Sequence, residues 1–154
     1  KYIICDITPA IYISYNRLKL AFPKKKVSLL IDIEDQVDLQ KKIKECDIAF
    51  IFPHQLELLN KKSVDLTIAI DCIHEMDKST INYYFKKFNY ITKFFYFSVW
   101  KKTDVPFSKN IFSKKNILDY EAGDYNLPSN WERIFKENIV FPSNQIGLGF
   151  KIND

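Results

Sequence analysis

The sequence predicts an α/β fold whose sheet is mainly parallel and closes on an antiparallel hairpin. Three observations point there. Short apolar runs alternate with segments of helical period, the pattern of strands joined by right-handed crossovers. The run from Val64 to Ile70 stops abruptly on polar, ionisable residues, Asp71-Cys72-Ile73-His74-Glu75-Met76-Asp77. The last two apolar runs, 139–141 and 146–152, leave no room for a helix between them, so they pair antiparallel at a sheet edge.

In chain order, residues 2–7 (Tyr-Ile-Ile-Cys-Asp-Ile) are an apolar run closing on an acid, as in a buried parallel strand. Thr8-Pro9 then opens a helix, with Thr8 as cap and Pro9 at the first helical position. Ile11, Tyr15, Leu18 and Phe22 fall on one face of it, and Pro23 ends it. Residues 27–31 form the next strand. After the acidic turn Asp32-Ile33-Glu34-Asp35, a short helix presents Leu39, Ile43 and Cys46. Residues 47–52 make a strand stopped by Pro53, followed by a helical turn or two over 54–59. After the Val64 strand, Asp77-Lys78-Ser79-Thr80 offers a cap to a helix with Ile81, Tyr84, Phe85 and Phe88 inward. Residues 94–100 are a strongly aromatic strand. A loop-like stretch over 101–130 comes next, of a length usual for lids and binding loops. Ser129-Asn130-Trp131-Glu132 reads as a capping box opening a helix with Trp131, Ile134 and Phe135 inward. Ile146, Leu148, Phe150 and Ile152 alternate, as in a strand with one solvated face.

Composition narrows the class. With 154 residues, 47% hydrophobic and 16% aromatic, the chain (1–154) is expected to form a single domain with a substantial core, which excludes a disordered protein. The net charge of +4 comes from 23 basic and 19 acidic residues and is spread out. Lys24-Lys25-Lys26 beside Pro23 reads as a solvated turn, so no nucleic-acid partner is expected. No apolar run approaches a membrane span and no signal peptide stands at the start, so no membrane partner is expected either. The three cysteines show no metal-ligand spacing and fit reduced thiols in a cytoplasmic protein.

Tyr2-Ile3-Ile4-Cys5-Asp6-Ile7-Thr8-Pro9-Ala10 and the stretch from Asp65 to Met76, followed by Ile81-Asn82-Tyr83-Tyr84-Phe85, carry a resemblance. Together with the terminal hairpin they look like class I S-adenosylmethionine (SAM)-dependent methyltransferases, most of all the bacterial sugar O-methyltransferases. The resemblance implies a Rossmann-like three-layer sandwich and transfer of a methyl group from SAM to a hydroxyl of a sugar or other small molecule. The chain departs from that family in one respect. Its three glycines are Gly123, Gly147 and Gly149, so no glycine-rich loop follows an early strand. The resemblance therefore places the first strand, its loop and its helix upstream of Lys1. Since only glycine lets backbone approach a cofactor so closely, this chain alone is expected to bind SAM weakly or not at all. The alternative is a non-catalytic Rossmann-like interaction module without the cofactor loop.

The resemblance assigns Asp6 to the cofactor ribose, a task suited to a carboxylate that accepts two donors at once; the same residue could instead cap the following helix. It assigns Phe52 and Pro53, with His54 beside them, to the adenine pocket. Asp71 either faces the cofactor's methionine end or the acceptor, or caps the next turn. His74 is the candidate general base, since imidazole titrates near neutrality; a structural histidine is the alternative. Glu75 and Asp77 either orient His74 or join Asp71 on Mg2+. Trp100, Asp104, Asp119, Tyr120, Asp124 and Tyr125 make the 101–130 stretch the expected acceptor region. Asp6 and His74 are expected to project from neighbouring strand tips into one cleft.

Overall fold

A computed structural model of the chain describes residues 1–104, 117–120, 123–140 and 144–154. They gather into two compact units, Lys1–Leu59 and Asn60–Asp154.

The first unit is built on three parallel strands: β1 (Tyr2–Cys5), β2 (Val27–Leu29) and β3 (Ile48–Ile51), in the order β1-β3-β2. The middle strand reads Ile-Ala-Phe-Ile and is buried throughout, as a strand covered on both faces must be. Helix α1 (Ala10–Ala21) buries Ile11 against Ile48 and Phe50, and Tyr15 meets the Phe50 ring edge-on at 5.6 Å. Pro9 rather than Thr8 occupies its cap position, and no side chain caps it. Phe22 lies past the helix end, 47% exposed, outside the expected apolar face. Helix α2 (Gln36–Glu45) starts on Asp35, whose carboxylate accepts the Asp38 N–H, and buries Leu39. A 3-10 helix, Pro53–Leu58, follows β3.

The second unit centres on a four-stranded sheet, ordered β4-β5-β9-β8. Its members are β4 (Val64–Ile70), β5 (Thr92–Trp100), β8 (Trp131–Asn138) and β9 (Gln145–Ile152). β4 and β5 are parallel, β9 turns antiparallel to β5, and β8 pairs antiparallel with β9. The expected terminal hairpin is therefore present. Helix α3 (Lys78–Ile91) buries Ile81, Phe85, Phe88 and Ile91. These residues, with Phe95, Phe97, Trp131 and Phe150, make an aromatic core of rings 5.0–6.0 Å apart. A small antiparallel pair, β6 (Lys102–Asp104) with β7 (Ile117–Asp119), interrupts the stretch expected to be loop.

The segment from Trp131 is a strand, not the expected helix. Its capping-box pattern is a local signal, and pairing with β9 over its whole length overrides it. Trp131 Nε1 and Asn130 Nδ2 both donate to Asn89 Oδ1 of α3, at 2.8 and 2.9 Å, which fixes the strand's start. On this outer strand Ile134 and Phe135 are 52% and 43% exposed rather than inward. Of the run expected at 139–141, Ile139 and Val140 follow β8, and Phe141 lies outside the described residues.

Both β1 and β4 are outermost strands of their sheets. On β4, Leu66, Ile68 and Ile70 share one face and are 50%, 58% and 62% exposed. Among the described residues no helix is long and apolar enough to cross a membrane.

Candidate functional site

Each unit carries candidate residues at the carboxyl ends of its parallel strands, where open α/β sheets place their ligands. In the first unit, Asp6 directly follows β1, and its N–H continues the ladder to Ile51 O of β3. One carboxylate oxygen accepts the Ile7 N–H at 2.8 Å; it does not cap α1. Phe52 and Pro53 follow β3 beside it. Phe52 is held by Gln55, which is fully buried and fully engaged. Gln55 Oε1 accepts the Phe52 N–H at 2.7 Å, and Nε2 donates to Leu30 O and Ile33 O at 2.8 and 2.7 Å. The exposed His54 ring lies 5.9 Å from that of Phe52. Asp6, Phe52, Pro53 and His54 thus share one strand-end region.

In the second unit, β4 pairing continues through Asp71, whose N–H donates to Ser98 O at 3.2 Å. Asp71 then turns sharply, with φ +57, a left-handed conformation that non-glycine residues adopt at a cost. This turn sends the chain into the 3-10 helix Ile73–Glu75, anchored by buried Ile73 and His74. Gln145, the first residue of β9 and 3% exposed, donates its Nε2 to Asp71 Oδ1 at 2.7 Å. His74 Nε2 lies 3.4 Å from the same oxygen, and the Trp100 indole meets the imidazole edge-on at 6.3 Å.

Burial holds the His74 pKa below its ordinary value, outweighing the opposing charges of Asp71 and Glu75. Burial thus favours the neutral imidazole. A carboxylate only accepts hydrogen bonds, so Asp71 at 3.4 Å favours the tautomer with the proton on Nε2 and the lone pair on Nδ1. Nδ1 is buried without a partner among the described residues. The Asp71 side chain, by contrast, is 54% exposed. The pair thus consists of an outward carboxylate backed by a buried imidazole whose Nδ1 has no partner among the described residues.

Neither a protein-family model nor a curated protein matches this chain. Among the solved structures that resemble it are the following two. The PH0226 protein from Pyrococcus horikoshii OT3 superposes with a TM-score of 0.54 at 13% identity, over 98% of this chain and 82% of that one. An rRNA methylase from Escherichia coli gives 0.48 at 14% identity, over 99% of this chain and 57% of that one. At such identities the first likeness shows a shared α/β fold and nothing finer, and the second is too low to argue from.

The structure brings Asp71 and His74 together and leaves Glu75 exposed beside them. Asp71 does not cap the next turn, which carries no side-chain cap, and its Oδ1 instead accepts from Gln145. Asp77 instead caps α3, its Oδ1 accepting the Thr80 N–H at 2.8 Å and the Ser79 hydroxyl at 2.6 Å. Among the described residues no group of three or more His, Cys, Asp or Glu gathers as a metal site. Asp6 and His74 belong to different compact units. In the expected acceptor region, Asp124 accepts from Lys78 Nζ and the Asp119 N–H, and Tyr125 is buried. Residues 105–116 and 121–122 of that region lie outside the described residues. Gln55 and Gln145 carry no sequence signal beyond standing next to strand ends.

Proposed function

We propose that this chain is part of a SAM-dependent O-methyltransferase whose acceptor is a hydroxyl of a sugar or similar small molecule, acting in the cytoplasm. The observation that carries the reading is His74 beyond the carboxyl end of β4, its Nε2 3.4 Å from the Asp71 carboxylate and its buried Nδ1 without a partner among the described residues. The α/β fold and the resemblance of residues 2–10 and 65–76 to sugar methyltransferases support it.

Asp6, Phe52 and Pro53 fit part of the cofactor. A half-buried carboxylate at a strand tip suits ribose hydroxyls, and the neighbouring apolar wall suits a flat base. No glycine of this chain stands at a strand-to-helix turn, so the close backbone approach must come from elsewhere. When bound, SAM supplies an electrophilic methyl group. The chain's own part is to remove the acceptor proton: Nδ1 of His74 takes it from the attacking hydroxyl, and the Asp71 carboxylate stabilises the imidazolium through Nε2–H. Nδ1 is closed to solvent here, so acceptor binding has to uncover it. Gln145 and the Trp100 edge hold the pair in register.

The test is methyl transfer from labelled SAM to a sugar panel by the full gene product. His74→Ala is expected to lower kcat by about a hundredfold or more, and Asp6→Ala to weaken SAM binding in calorimetry without lowering kcat at saturation. Unchanged kcat in His74→Ala removes the proposed base. One observation favours the alternative, a non-catalytic interaction module: the bare Leu66, Ile68 and Ile70 on β4. Absence of SAM binding by the full gene product would decide for it.

A further inference from the structure

Gln145 serves a strand it does not pair with. The sheet order runs β4-β5-β9, so β5 lies between Gln145 at the start of β9 and Asp71 at the end of β4. The amide reaches over the end of β5 and donates Nε2–H to Asp71 Oδ1 at 2.7 Å. The surrounding backbone sets that reach. Gln145 faces Trp100 in the antiparallel β5–β9 ladder, the Lys101 N–H donates to Asn144 O at 2.8 Å, and Gln145 O accepts the Ile139 N–H at 3.1 Å. The residue is buried, so water competes little for its amide.

Asp71 needs such a hold on two counts. Its left-handed backbone, φ +57, persists only where the surroundings over-determine it. Its side chain is half-exposed, so an untethered carboxylate would turn to water. The bond from its N–H to Ser98 O fixes the main chain, and Gln145 fixes the side chain. The carboxylate is thereby kept 3.4 Å from His74 Nε2.

The residue type suits the task. Lysine or arginine at this position would also hold Asp71, but its charge would compete with the imidazolium for the carboxylate. A neutral amide holds the oxygen and leaves the negative charge to His74. Asp71 and Glu75 are the charged groups that act on the imidazole, and both favour its protonated form against burial. Trp100, the β5 residue in ring contact with it, carries no charge.

We propose that Gln145 is a positioning residue: its amide pins the Asp71 carboxylate beside the His74 imidazole, and without that donor the carboxylate leaves the pair. The consequence for methyl transfer rests on the reading of His74 as the base; the positioning itself does not.

The chain has two histidines, in different compact units. Proton NMR of the chain therefore follows the His74 titration with His54 as an internal reference and His54→Gln as the assignment. Asp71→Asn is expected to move the His74 midpoint down, because a charge that favours the imidazolium is lost. Gln145→Met keeps the length and removes the donor. It is expected to move the midpoint down as well, and Asp71→Asn in that background to add little. Gln145→Asn keeps an amide one methylene too short and is expected to show the same loss of coupling with less change in packing. A merely structural role would lower the unfolding temperature and leave the effect of Asp71→Asn as large as in the parent. That result, or His74 titrations of Gln145→Met and Gln145→Asn identical to the parent's, overturns the proposal. Lost coupling together with full turnover by His74→Ala in the full gene product would sustain the positioning and remove the base.

Discussion

Gly149→Ala is expected to change sign depending on one neighbour. Gly149 of β9 lies against Phe135 of β8, and a Cβ there would overlap the ring, 2.6 Å from Cδ1 and 2.9 Å from Cζ. Non-bonded carbons rest about 3.5–4.0 Å apart, so the ring has to leave. Phe135 is 43% exposed and can swing into water. It then gives up its stacking on Tyr96, where the centroids are 5.9 Å apart, an interaction of about 0.5–1.5 kcal/mol, and about 1 kcal/mol of burial. Alanine offsets this by restricting the unfolded chain, about 0.4–1 kcal/mol. The φ of Gly149 lies outside the left-handed range, so the substitution adds no backbone strain. Gly149→Ala should therefore destabilise by about 1 kcal/mol. In a Phe135→Ala background the same change should stabilise by about 0.5 kcal/mol, a coupling of about 1.5 kcal/mol. Urea unfolding of the four proteins, followed by Trp131 fluorescence, measures it. Equal effects of Gly149→Ala in both backgrounds would refute the reasoning.

Other expectations concern the core and the site. Phe97 is fully buried against Phe85, Phe95, Tyr125 and Phe150, and Phe97→Ala should cost about 3–5 kcal/mol. Phe94→Ala, at a position 42% exposed, should cost about 1 kcal/mol; similar urea midpoints for the two would contradict the burial pattern. Burial lowers the His74 pKa in the fold, so the unfolded chain takes up the proton first as pH falls. Stability should be full above about pH 7.5 and decline as pH drops through about 6.5. His74→Leu should flatten that part of the profile, and an unchanged slope between about pH 7.5 and 5.5 would show that another group sets it.

Most strands are legible because burial writes them into the sequence. Ile48–Ile51 is apolar at every position, and Val64–Ile70 stops at the ionisable Asp71, whose N–H makes the last bond of its ladder. Helix α3 shows itself through Asp77 and the spacing of Ile81, Phe85 and Phe88. The Trp131 segment departs from the helix its pattern suggests because a capping signal is local while its β partner lies beyond the next turn. Within the site, Asp71 and His74 are legible as ionisable residues at a strand end. Gln145 is not, since it meets Asp71 only through pairing of β9 with β5.

The bare face of β4 has a practical consequence. Three branched aliphatic side chains beside an outermost strand offer water little to bind and offer another extended chain a ready template. Self-association on concentration is the hazard such a surface creates. A single lysine at Ile68 would act as a gatekeeper there, placing a charge in the middle of the stripe while leaving the aromatic core on the opposite side untouched.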